Sequence, residues 1–108
     1  MLMLVKSKNG VPLRLTKERW NHIITSHLDM VGNKKELLKT IEDPDMILKG
    51  VNDEKRAVRF FKETHLGAKY IMVAYKELGS LKGFIITAYK ASKIDRIIKR
   101  GILWKRQQ

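Results

Sequence analysis

The chain contains no cysteine, which excludes disulfides, thiolate metal sites and a cysteine nucleophile, and which suits a reducing cytosol. It has only two prolines and no Pro/Gly/Ser-rich linker, internal repeat or low-complexity run, so nothing marks an internal boundary. Long apolar runs are also missing: the opening Met1–Val5 is far too short for a signal h-region or a membrane span. At 108 residues the expectation is one domain covering 1–108, able to bury about 65% of its unfolded surface. Several catalytic signatures are absent as well. There is no GxxxxGK[ST] or GxGxxG loop and no GxSxG elbow.

The second half is poor in acid. Residues 1–54 carry nine Lys/Arg against eight Asp/Glu, whereas residues 55–108 carry fourteen against three, so almost all of the net charge of +12 lies in the second half. Clustered positive potential concentrates polyanions, and phosphate backbones are the commonest such target. The bland alternative is a solvated lysine-rich surface. The acids, mainly in the first half on helix faces and turns, make no credible pair for glycoside chemistry.

Periodicity places the elements. Residues 2–7 (LMLVKS) suit a short strand, and Asn9-Gly10-Val11-Pro12 a turn. Thr16 is placed to cap a helix over 17–27, in which Trp20, Ile23, Ile24 and His27 form one stripe. Asn33 is placed to cap a second helix, KKELLKTIE, which Asp43-Pro44 ends because the residue before proline avoids the α region. Then the character becomes β: residues 45–51, 56–64, 69–77 and 83–90 are rich in β-branched and aromatic residues, with short glycine-containing connections that favour hairpins. Residues 92–100, with Ile94, Ile97 and Ile98, suit a short basic helix before Trp104. The expectation is an α+β fold, with N-terminal helices packed on a four-stranded antiparallel β-sheet.

Strand alternation then sorts the polar residues. Within 83–90, Ile85, Thr87 and Tyr89 fall on one side and Phe84, Ile86, Ala88 and Lys90 on the other. Arg59 and Phe61 oppose Val58, Phe60 and Lys62. A sheet open on one side would display Arg59, Thr87 and Tyr89 together, though both sides contain apolar residues and the open one is not decided by spacing. A cation, a hydroxyl and an aromatic ring suit a phosphate with its base; incidental polar residues on a half-exposed sheet are the plain alternative.

His22 and His27 are five apart, about 140° around a helix, which is not the spacing of a helical metal pair. His27 lies on the Trp20 stripe, so a core or capping role competes with a catalytic one. His22 lies on the opposite side, where an exposed spectator is the bland choice, and His65 falls in a turn at the surface. Scattered histidines and carboxylates give a metal site little support, and no cofactor is expected. A DNA-binding helix-turn-helix over 16–42 is disfavoured because those helices are nearly neutral.

The run Leu15-Thr16-Lys17-Glu18-Arg19-Trp20-Asn21-His22-Ile23, followed by His27, resembles the "L-T-x-x-x-W-x-H-I … H" opening of small phage- and toxin-associated proteins. These belong to the barnase–EndoU–colicin–RelE (BECR) ribonuclease superfamily. Glu42-Asp43-Pro44-Asp45-Met46-Ile47, Arg59-Phe60-Phe61-Lys62 and Gly83-Phe84-Ile85-Ile86-Thr87-Ala88-Tyr89 continue the likeness, which covers about residues 13–92. One departure is Leu28 after His27, where the pattern often has proline.

The resemblance implies a metal-independent RNA endonuclease of toxin type, acting in the cytoplasm on tRNA or other cellular RNA, and using the substrate 2′-hydroxyl to leave a 2′,3′-cyclic phosphate. It implies His22 and His27 as the helix histidines, Arg59 (or Lys62) as the basic strand residue, and Thr87 and Tyr89 as the polar pair of the last strand. In that scheme His27 or His22 is the general base, Arg59 and Lys62 or Lys90 stabilise the phosphorane, Thr87 bonds a non-bridging oxygen, and Tyr89 positions or stacks on a base. Lys62, Lys90 and Lys93 would bind substrate. A non-catalytic nucleic-acid-binding module is the alternative. A third possibility is a basic face for an acidic antitoxin or immunity protein; a membrane partner is not expected.

Overall fold

Alternating apolar residues build the first hairpin. Strand β1 (Leu2–Lys6) pairs antiparallel with β2 (Pro12–Thr16), burying Val5, Leu13 and Leu15 while Leu4 and Arg14 face outward. Pro12 opens its strand, a position where a missing N–H is tolerated. Thr16 closes β2 and caps α1 (Lys17–Ser26), its hydroxyl accepting from the Arg19 amide at 3.0 Å. A 3-10 turn, Leu28–Met30, leads to α2 (Lys34–Glu42), whose N-cap is Asn33. That side chain does not cap the backbone; its Nδ2 donates to Glu36 Oε1 at 3.1 Å. Strands β3 (Met46–Lys49), β4 (Lys55–Phe61), β5 (Lys69–Glu77) and β6 (Gly83–Ala91) follow, then α3 (Asp95–Ile98) and β7 (Ile102–Lys105). This is a computed structural model, and it describes residues 2–107.

The α+β class and the packing of helices on a sheet agree with expectation, but the sheet has seven strands and is mixed, in the order β1-β2-β6-β5-β4-β3-β7. Two strands were hidden by local signals. Pro12 and Thr16 suggested a turn and a cap, yet the residues between them are a strand that meets β6 in parallel, Leu13 beside Gly83 and Arg14 beside Phe84. The isoleucines of the tail suggested a longer helix, yet α3 makes a single turn. Gly101, at φ 118°, then reverses the chain so that β7 pairs with β3. Among the described residues no helix is long and apolar enough to cross a membrane.

The sheet separates two apolar layers. On one face Ala57, Ile71, Val73, Tyr75, Ile85 and Ala88 pack with Ile23 of α1 and with Leu37 and Ile41 of α2. Helix α2 touches β1 as well as β4 and β5, so the sheet curls around it. On the other face Leu48, Val58, Met72 and Ala74 are covered by Ile94, Ile97 and Ile98 from α3 and its approach.

The hairpin tip is clipped to the sheet by Glu77. Its carboxylate accepts from Ser7 Oγ at 2.5 Å, from Asn9 Nδ2 at 3.2 Å and from the Lys55 ammonium. Burial alone would raise this carboxyl's pKa; the three donors outweigh it and hold it below its ordinary value of 4.5. A carboxyl depressed in the folded state adds stability that is complete above its unfolded pKa and vanishes as pH falls through the folded one. Glu77→Gln should therefore cost about 1–3 kcal/mol at neutral pH. The gap from the parent should shrink as melts are taken toward about pH 3, and a gap independent of pH would refute the clip.

Candidate nucleic-acid interface

Strand β2 accompanies β6 only as far as Arg14 and Phe84. At Thr16 the chain turns into α1, so the rest of the β6 edge is flanked by a helix and its following turn instead of a strand. Side chains occupy that edge: Arg19 Nη1 donates to the Ile86 carbonyl at 3.3 Å, and the Lys90 amide donates to Asp29 Oδ2 at 2.8 Å. The 3-10 turn that Leu28 begins brings Asp29 to that amide. At the C-terminal end of α1, half-buried His27 lies against Tyr89, with ring centroids 5.5 Å apart and planes inclined at 41°. The His27 amide closes the helix by donating to Ile23 O at 2.7 Å, so the residue sits at the capping position and its half-buried side chain still reaches the surface.

Shallow hollows follow the same edge. One of about 430 Å³ includes Arg14, Thr16, Arg19, Lys82 and Phe84. A second shares Thr16 and Arg19 with it and adds Glu18 and His22. A third, of about 510 Å³, is lined by Tyr89, Ala91, Lys93, Asp95, Arg96 and Ile97. The His27–Tyr89 pair stands between Arg19 at one end and Lys93 with Arg96 at the other. The result is a strip of cations and protic side chains along β6, with open hollows instead of a deep pocket. That shape suits a chain of phosphates better than a small enclosed metabolite.

The expected trio of Arg59, Thr87 and Tyr89 is not brought together. A bulge opposite Ala74 and Tyr75 inserts an extra residue in β6: Tyr75 faces Ile85, whereas Ala74 faces Thr87. The insertion shifts alternation by one. Ile85 therefore joins Ala88 and Lys90 on the face covered by α1 and α2, while Ile86, Thr87 and Tyr89 belong to the α3 face. Arg59 pairs with Ile71, on the α1/α2 face. Its guanidinium donates to Asp43 O at 2.6 Å and to Asp43 Oδ2 at 3.2 Å, and lies 5.7 Å from the Phe61 ring. Arg106 also binds Asp43, and its hydrogen bond, helped by the charges of Arg106, Arg59 and Lys39, outweighs burial to hold that carboxyl below the ordinary range. Arg59 thus ties the end of α2 to β4.

Lys90 is likewise on the wrong face. It is buried beside Ile71, its Nζ 3.3 Å from His65 Nδ1, and burial lowers its pKa despite the nearby Asp29 and Glu36 carboxylates. Lys62 is exposed past the end of β4 and lines none of these hollows. His22 is exposed beside Arg19, and Lys93 lines the Tyr89 hollow. Arg19, Arg14 and Arg96 are the cations that residue spacing did not single out. Arg19 precedes His22 by three and Ile23 by four, one helical turn, which was a usable signal. Arg14 needed the β2–β6 pairing and Arg96 the fold-back of α3. Among the described residues no three His, Cys, Asp or Glu side chains gather as metal ligands would. Comparison with models of protein families, with curated proteins and with solved structures finds no match to this chain.

Proposed function

We propose that the protein is a toxin-type RNA endonuclease that uses the 2′-hydroxyl of its substrate as nucleophile. The observation that carries this reading is the His27–Tyr89 ring pair set in a cationic strip. Histidine is the side chain whose ordinary titration lies closest to neutral pH, so His27 takes the 2′-hydroxyl proton. The freed 2′-oxygen attacks phosphorus and the bond to the 5′-oxygen breaks, leaving a 2′,3′-cyclic phosphate. The departing 5′-oxygen needs a proton, and Tyr89 is the protic side chain standing against His27. Arg19 takes the role first expected of Arg59, balancing charge on the phosphorane. Thr87 is available to a non-bridging oxygen, Lys93 and Arg96 hold flanking phosphates, and His22 serves the strand near Arg19. The nucleophile belongs to the RNA, so the chemistry calls for no metal.

The order of motifs resembling BECR ribonucleases supports the same reading, with tRNA the favoured substrate and the cytoplasm the place of action. An acidic antitoxin or immunity protein would find its complement on the same strip. Total tRNA incubated with the protein in EDTA should yield fragments ending in 2′,3′-cyclic phosphate. Intact RNA at high protein concentration, with binding retained, would reduce the protein to a nucleic-acid-binding module.

A further inference from the structure

On the α3-bearing face a row runs across three strands: Phe60 of β4 pairs with Tyr70 of β5, which pairs with Ala91 of β6. Tyr89 stands in the neighbouring row, opposite Met72. The Phe60 and Tyr70 rings meet edge to face, centroids 5.1 Å apart and planes at 62°. Phe60 is 44% exposed, so its ring is available to a ligand instead of being taken up by the core. The third member of the row is only a methyl group, and half-buried Tyr70 packs on the apolar cluster beneath α3, as Tyr89 does. Ala91 is also a wall of the hollow that holds Tyr89, Lys93 and Arg96. Through Ala91 the Phe60–Tyr70 pair adjoins that hollow, and exposed Lys62, two residues beyond Phe60, adds positive charge nearby.

We propose that Phe60 and Tyr70 form a stacking subsite for an unpaired nucleobase next to the phosphate held at His27 and Tyr89, which makes single-stranded RNA, or the loop of a folded RNA, the substrate class. This rests on the RNA reading above and adds to it where selectivity comes from. Bases inside a duplex are already stacked and offer no free face, whereas an unpaired base can lie on an aromatic ring whatever its identity. The subsite therefore selects for strandedness with little preference for sequence.

The test separates binding from cleavage by using 2′-O-methyl oligoribonucleotides, which lack the nucleophile. Three probes suffice: a short single strand, its fully paired duplex, and a set of single strands with one abasic unit moved along the chain. The variant is Phe60→Leu with Tyr70→Leu, which removes the rings but keeps apolar volume; its thermal melt checks folding. The parent should lose roughly tenfold in affinity for the strand with the abasic unit at one position, the scale of one stacked base. The variant should bind the intact strand roughly tenfold more weakly than the parent, bind the duplex equally well, and be indifferent to the abasic unit. Equal abasic losses in parent and variant, or equal weakening toward strand and duplex, would overturn the subsite while leaving the RNA reading intact. A parent that binds no single strand at low salt would overturn both.

Discussion

Replacing His27 by alanine should lower the rate of RNA cleavage by about 10²–10⁴-fold, the range for a lost general base, while RNA affinity stays nearly unchanged. The affinity should persist because the strip proposed to hold the phosphates is built from Arg14, Arg19, Lys93 and Arg96, none of which depends on the imidazole. The fold should persist too. His27 is only half-buried, and the helix end is closed by its backbone amide, which alanine retains. The informative partner variant is Arg59→Ala. That side chain lies on the face of the sheet opposite Tyr89, at the end of α2, where it bonds the carbonyl and carboxylate of Asp43. Its loss should cost about 1–2 kcal/mol of stability and leave the rate of the folded protein within about a factor of three of the parent, far from the scale of a lost catalytic group. Single-turnover cleavage at saturating protein, with folding followed by urea titration, measures both. A His27→Ala protein that cuts at more than about a tenth of the parent rate would remove His27 as the base, and a collapse in rate with Arg59→Ala would place Arg59 in the reaction after all.

The contrast between those two residues shows what could be read from the chain and what could not. Helix α2 was legible to the residue because Leu37, Leu38 and Ile41 repeat at helical spacing and Asp43-Pro44 stops the chain. Strand β5 was legible because KYIMVAYKE has no competing signal, its apolar run matching a central strand buried on both faces. His27 was half legible: the Trp20 stripe placed it toward the body of the protein, but only the meeting of α1 with the free edge of β6 brings it to Tyr89. The failure at Arg59 has one physical cause. Alternation predicts a face only while the strand stays in register, and the bulge near Ile86 moves Thr87 and Tyr89 across the sheet relative to a regular strand. Nothing within GFIITAYK announces that extra residue, since it is defined by what β5 places opposite. The parallel contact of β2 with β6 was invisible for a similar reason: about seventy residues separate Leu13 from Gly83, and no local pattern specifies a pairing at that distance.

That contact gives the second large effect: Gly83→Ala should destabilise the protein by about 3 kcal/mol, a sizeable part of the roughly 5–15 kcal/mol typical of a domain. The reason is space. Gly83 is held between two strands, facing Glu77 of β5 and Leu13 of β2. A methyl group there would lie 2.5 Å from the Lys76 carbonyl oxygen and 2.6 Å from Leu13 Cδ2. The oxygen belongs to the backbone of a central strand, and Leu13 is fully buried, so neither can retreat cheaply. A double-mutant cycle separates the two obstacles. Leu13→Val removes the crowded methyl, so Gly83→Ala should cost about 1 kcal/mol less in that background, with the residual assigned to the carbonyl. Urea midpoints measure both, and a Gly83→Ala protein within about 0.5 kcal/mol of the parent would show that β2 is not seated against β6. The effect should extend to function. The end of β2 sets where Thr16 starts α1, and hence where Arg19 meets Ile86 and where His27 meets Tyr89. Prying β2 from β6 should therefore weaken RNA binding and cleavage together in the fraction that stays folded. His27→Ala should separate the two, and that difference distinguishes a displaced groove from a missing base.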